Sequence, residues 1–166
     1  MKMFINVMDK INFLMKVLIG TFTAAALVVM FWQIVSRYVF NAPLAWSDEF
    51  VRYLLVWITF VGAALAVRYS KLIKLDFIFN LFKLNNGIKM IIRGLANVLS
   101  IIFCLIILRY SLEILEIVHN QRSSSMQIPM SIPYLAIPFG TLMMLLNIIV
   151  VWMEGEPKND DGEELI

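Results

Sequence analysis

The sequence predicts an all-α integral membrane protein: four transmembrane helices, a short amphipathic interfacial helix and both termini in the cytoplasm. Three observations lead to it. Of 166 residues, 61% are hydrophobic and only 16% charged, whereas soluble domains average about 45–50% and about 25%. A soluble fold of this length cannot hide so much apolar surface, so the bilayer must solvate it. The apolar residues are gathered into four runs, and lysines and arginines divide unequally between the connections.

The first run, Val17 to Ser36, holds twenty residues without a formal charge, enough at about 1.5 Å per residue to cross a hydrocarbon core of roughly 30 Å. Lys2, Lys10 and Lys16 precede it, as in a signal peptide. The run nevertheless exceeds a signal core of roughly 7–15 residues and lacks a small-residue cleavage site, so it reads as a retained helix. The second run, Tyr53 to Val67, lies between Arg52 and Arg68, and the third, Gly94 to Leu108, between Arg93 and Arg109. Fifteen residues reach only about 22 Å, so each helix must extend past an arginine that snorkels or pairs at the membrane's edge. The fourth run, Ser123 to Met153, is divided by Pro129, Pro133 and Pro138. Proline fits the first turn of a helix, so this helix is expected from about Ser131, with Ser131 as a possible cap and a bend at Pro138. The expected spans are 15–38, 47–69, 88–116 and 131–154, forming a single domain over 1–154. In "DFIFNLFKL", Asp76, Asn80 and Lys83 recur at helical spacing among aromatic and aliphatic residues, which suits an interfacial helix over about 75–85. Residues 155–166 read as a solvated acidic cytoplasmic tail.

Orientation follows from the basic residues. Lys2, Lys10 and Lys16 before the first span, six lysines and arginines between spans two and three, and Lys158 fall on one side, which is expected to be cytoplasmic. Arg37, Arg52, Arg109 and Arg122 fall on the other.

The chemistry-bearing residues are few. Cys104 sits in the apolar run "LSIIFCLIIL" and reads as a small membrane-buried side chain. His119 is the single histidine, leaving no expected heme, iron–sulfur or zinc site, and a net charge of +2 is too small to suggest nucleic acid. No nucleophile–base pair or phosphate-binding glycine loop is visible, so no enzymatic activity is expected.

The charges at helix ends are the informative feature. Asp48, Arg52, Thr59, Gly62, Ala63 and Ala66 share a stripe of helix two, whose start Ser47 can cap. Asp48 and Glu49 stand four and three residues before Arg52, at pairing distance and near the positive end of the helix dipole. Gly62 and Ala66 form a small-xxx-small face for close helix packing. Arg109, Glu113, Glu116 and Asn120 make a second polar stripe on helix three. Charges at membrane depth must pair or face protein or water. The stripes are therefore expected to be ion pairs that lock helices two and three and orient them towards a partner. A solute or ion path and simple snorkelling are the competing readings. A transport core usually shows broken helices in paired halves, and none is visible.

The stretch "RYVFNAPLAWSDEFVRYLLVWITFVGAALAVRYSKLIKLDF", residues 37–77, resembles the small permease subunit of tripartite ATP-independent periplasmic (TRAP) transporters. Pro43, Trp46, Asp48, Glu49, Arg52, Trp57, Gly62, Ala63, Arg68 and Asp76 fall on that family's pattern, and "IPYLAIPFG" at 132–140 resembles the entry to its last helix. The resemblance implies a four-helix subunit of the bacterial inner membrane with no cofactor of its own, packed on a large membrane subunit that is a separate chain. That large subunit would hold the substrate and sodium sites and make an elevator-type movement. A soluble periplasmic protein would deliver the substrate, an organic acid anion such as sialic acid or a C4-dicarboxylate. Trp46, Asp48, Glu49, Arg52, Arg109, Glu113 and Glu116 are the expected interface or ion-pair residues. The alternatives are a membrane anchor subunit of a redox complex, which would need more ligating histidines, and a self-sufficient small exporter, which would need an acid deep in a span.

Overall fold

The structure, a computed structural model, describes residues 2–69 and 86–154. They form α1 (Lys2–Tyr38), α2 (Ala45–Tyr69), α3 (Asn86–Val118), the short α4 (Ser131–Tyr134) and α5 (Ala136–Glu154). Four stretches are long and apolar enough to cross a membrane: Met3–Tyr38, Ala45–Tyr69, Gly94–Val118 and Ser131–Met153. The interfacial helix expected over 75–85 and the tail over 155–166 lie outside the described residues.

The first helix is longer than its apolar run. With 37 residues, α1 extends about 55 Å, well beyond a hydrocarbon core. The expected span 15–38 is the second part of a helix that starts at Lys2. Its early turns are held by tertiary contact: Met8, Asn12 and Met15, at i, i+4 and i+7, form a stripe buried in the bundle. Hydropathy alone misses this stripe, because Asn12 and the neighbouring Asp9, Lys10 and Lys16 dilute the apolar signal.

The helices lie in the order α1–α2–α5–α3, with α2 packed on α1 along one flank and on α5 along the other, and α3 on the far side of α5. The main contact of α3 is therefore with α5, and the expected direct locking of helices two and three gives way to an arrangement with α5 between them. Ala26, Val51 and Leu54 centre the α1–α2 contact, with Phe22, Val29, Phe50 and Ile58 around them. Trp57 stands edge-on to Phe22 of α1, with ring centres 6.5 Å apart, and lies 5.9 Å from the ring of Phe139 on α5. One indole thus joins three helices. The outward faces of α1 (Leu27, Phe31, Trp32) and α3 (Leu99, Phe103, Leu105) expose large apolar side chains, as suits lipid or another membrane chain.

Close packing is set by Gly140, outside the expected Gly62–Ala66 face. A Cβ at Gly140 would lie 2.7 Å from Phe60 Cβ and 2.8 Å from its backbone carbonyl atoms, so the α2 and α5 backbones meet there. Gly62 faces Ile19 of α1 with ordinary room, and Ala66 is exposed. Ala64 of α2 and Ala136 at the start of α5 are fully buried.

The prolines act close to where the sequence places them. Pro133 is buried in the first turn of α4. The helix is interrupted at Leu135, between α4 and α5, because Pro138 has no N–H to donate to the Tyr134 carbonyl four residues back. Ser131 is the first helical residue, however, and the cap position falls on Met130, which makes no side-chain capping bond. Ser47 is likewise not the cap of α2: its hydroxyl donates to the Leu44 carbonyl at 2.7 Å.

Candidate functional site

Two polar clusters tie the row of helices together, one at the end holding the 39–44 and 119–130 connections and one at the end where α1 begins and α5 finishes.

At the connection end, the adjacent acids of "WSDEF" point to different neighbours. Asp48 Oδ1 accepts a 2.6 Å hydrogen bond from Gln33 Nε2, tying α2 to α1. Glu49 reaches the α3–α4 connection. Its Oε1 accepts the Ser124 backbone N–H at 3.2 Å, and its Oε2 accepts those of Ser125 and Met126 at 3.0 and 2.9 Å. Tyr53, one turn along, donates its hydroxyl to Glu49 Oε1 at 2.9 Å. The connection is itself a tight turn. Ser123 N donates to Ile128 O and Met130 N to Gln121 O, while Arg122 Nη1 donates to Gln127 O and Gln127 adopts a left-handed backbone, φ 55°.

This changes the expected role of the motif. Arg52 is exposed, and neither Asp48 nor Glu49 lies within ion-pairing distance of it. The physical reason is competition: amide N–H donors on neighbouring segments take up the carboxylate oxygens, whereas the exposed guanidinium is solvated by water. Trp46 is part-exposed and stacks edge-on with Phe50 at 6.2 Å. On α3, Arg109 Nη1 meets Glu113 Oε1 at 2.6 Å, an i,i+4 pair on an exposed surface, where such pairs contribute about 0.3–0.5 kcal/mol. Glu116 and Asn120 continue that stripe and are exposed, as is His119. Gly62 and Ala66 belong to the α2 surface already described and contribute to neither cluster.

At the opposite end lies a cluster that the sequence reading missed. Asp9 of α1 meets Arg68 of α2: its Oδ1 accepts from Arg68 Nη2 at 2.6 Å and from Nε at 3.1 Å. Arg68 is only 7% exposed, whereas the Asp9 side chain is half exposed. One turn further along α1, Asn12 and Asn147 of α5 exchange amide hydrogen bonds at 2.8 and 2.9 Å. Asn12 Nδ2 also donates to Met8 O at 2.9 Å, and Asn147 Nδ2 to Ala64 O of α2 at 2.8 Å. Both side chains are fully buried, and all four amide hydrogens are used. Two signals could have found this pair. Asn147 is the only amide in "TLMMLLNIIVVWM", and Asn12 falls on the Met8–Met15 stripe.

The two clusters can hold helices; neither is arranged to activate a substrate. Among the described residues no group of three or more His, Cys, Asp or Glu side chains is placed to hold a metal ion. Cys104 is buried with its Sγ 4.0 Å from Met144 Sδ on α5, a packing contact.

Comparison with known proteins accords with this picture. The chain is 39% identical over 74 residues to the sialic acid TRAP transporter permease protein SiaT of Haemophilus influenzae, covering 45% of this chain and 12% of that protein. It is 34% identical over 67 residues to the sialic acid TRAP transporter small permease protein SiaQ of Vibrio cholerae, covering 40% of this chain and 39% of that one. The match thus spans well under half the length of either relative. A further Haemophilus influenzae protein, provisionally named a TRAP transporter small permease protein, is 25% identical over 155 residues, covering 89% of this chain and 95% of its own length. Residues 26–156, which include every helix from the middle of α1 onward, match the family model described as tripartite ATP-independent periplasmic transporters, DctQ component. The chain belongs to that family, the small permease component of TRAP transporters.

Proposed function

We propose that the chain is the accessory, scaffold-type subunit of a sodium-driven importer of organic acid anions in a bacterial inner membrane. In this reading both termini are cytoplasmic. The chain braces a large membrane subunit that carries substrate and sodium, close to where a periplasmic binding protein docks. The single observation that carries the proposal is how the polar groups are used. Asn12, Asn147, Ser111 and Thr141 are buried, and each bonds to another group of the chain. A hydrophilic solute would find few free donors or acceptors along the row, while the outward faces of α1 and α3 remain apolar. That distribution suits a membrane brace better than a conduit. The names of the sialic acid relatives support an acid anion as the cargo class.

The test is uptake in cells expressing this chain with or without a TRAP large subunit and binding protein, together with co-purification in mild detergent. The expected result is sodium-dependent uptake only when all three are present, with the large subunit retained on a tag carried by this chain. Uptake by the reconstituted chain alone would overturn the proposal. Orientation is read separately: in a Cys104→Ala background, Ser125→Cys should react with an impermeant thiol reagent in intact spheroplasts. Labelling only after lysis would invert the topology.

A further inference from the structure

Glu49 is held mainly by a segment far from its own helix. Three successive backbone N–H groups, from Ser124, Ser125 and Met126, converge on its carboxylate, divided between the two oxygens. Tyr53 Oη at 2.9 Å and Ser124 Oγ at 3.5 Å add to the donors on Oε1, and the buried Ser123 side chain packs beside it. Converging N–H groups of a tight turn are the construction by which proteins hold anions. Here the anion comes from a helix 75 residues earlier in the chain. The turn's remaining bonds, Ser123 N to Ile128 O, Arg122 Nη1 to Gln127 O and Gln127 Nε2 to Ser124 O, shape the cup but leave those three N–H groups to the carboxylate.

We propose that Ser124–Met126 is a carboxylate-binding nest, with Glu49 as its resident ligand, and that it accepts a small free carboxylate once the Glu49 side chain is removed. The ligand class follows from the geometry. Donors shared between two oxygens, with a phenol on one of them, fit a planar two-oxygen anion and do not fit a spherical ion such as chloride. The nest is also what fixes the α3–α4 connection to α2, so filling it and ordering that connection are one event.

The experiment uses the full-length chain in detergent or nanodiscs, with amide hydrogen exchange read over 121–130 and folding checked by far-UV circular dichroism. In Glu49→Ala, protection at Ser124–Met126 should fall by about tenfold or more, as expected for amides that lose a charge-assisted acceptor. Sodium formate or acetate should restore it, with sodium chloride at matched ionic strength without effect. So small an anion binds no tighter than about millimolar, so the titration runs from about 1 to about 300 mM. Wild-type protein, its nest already filled, should show no formate dependence. Glu49→Gln, which keeps the side chain's size but offers one weaker acceptor and blocks the cup, should lose protection and not be rescued. That variant keeps the proposal open to refutation if Glu49→Ala does not fold. Undiminished protection in Glu49→Gln, or equal rescue of Glu49→Ala by chloride and formate, would overturn it. A folded Glu49→Ala that no carboxylate rescues would do the same.

Discussion

Replacing Asn147 by leucine removes one half of the buried amide pair while keeping a branched side chain of similar size. Three hydrogen bonds disappear: the two exchanged with Asn12 and the one to Ala64 O. Hydrogen bonds between membrane helices average about 0.6 kcal/mol in double-mutant cycles, so their direct loss is about 2 kcal/mol. The larger consequence is what stays behind. Asn12 keeps its bond to Met8 O, but its Oδ1 is then buried without a donor, which adds about 1–3 kcal/mol. A total of about 3–5 kcal/mol is expected for Asn147→Leu, and a similar value for Asn12→Leu, which orphans Asn147 Oδ1. The double substitution leaves no amide to satisfy and should cost no more than about 2 kcal/mol, since apolar replacement of a buried polar pair is often close to neutral. The two changes should thus be coupled by several kcal/mol. The assay is reversible unfolding of the purified chain in mixed micelles, followed by circular dichroism, for wild type, both singles and the double. If the double equals the sum of the singles within about 0.5 kcal/mol, the residues are energetically independent and the argument from the exchanged bonds fails.

Three further outcomes are expected. Asp9→Ala should lower the unfolding midpoint in detergent, because it removes the oxygen that accepts from both Nη2 and Nε of the 7%-exposed Arg68; an unchanged midpoint would refute it. Gly140→Ala should cost about 1–3 kcal/mol or more, because its Cβ would collide with the Phe60 backbone, while Gly62→Ala, with its nearest neighbour at 3.8 Å, should be neutral or slightly stabilising; equal melting temperatures for the two variants would contradict the packing described. Arg52→Ala should leave the isolated chain's stability within about 0.5 kcal/mol, since Arg52 is exposed and paired with neither neighbouring acid, so any effect should appear in uptake or co-purification with a large subunit; a marked loss of stability in the isolated chain would show that the arginine does structural work after all.

The helices were legible because hydrophobic length is a coarse, additive property: twenty uncharged residues identify a span whatever they touch. Contacts are not additive, and there the reading was partial. "SDEFVR" points to Asp48 and Glu49 but suggests Arg52 as their partner, because i,i+4 spacing is visible in a sequence and a loop 75 residues away is not. Gln33 and the Ser124–Met126 amides carry no sequence mark of their role. Gly62 and Ala66 have the spacing of a close-packing face, yet which side of α2 meets α5 depends on helix order, which apolar runs do not encode. Asp9 and Asn12 went unread because they precede the apolar run. The structure makes them the start of the first helix's working surface.

The order of the helices in space differs from their order in the chain, and this bears on how the protein is made. Helices α1 and α2 are neighbours in both, so their contact, and the Asp9–Arg68 ion pair across it, can form as soon as the second helix is inserted. Helix α3 follows, but the long helix it packs on is α5, which comes after it in the chain. Asn12 is made well before its partner, which comes 135 positions later in the chain. During synthesis, therefore, a buried amide and the whole inner face of α3 wait for α5 to enter between two elements already in the membrane. On this order α5 completes the bundle, and until it is in place the faces of α2 and α3 that it covers are left to lipid.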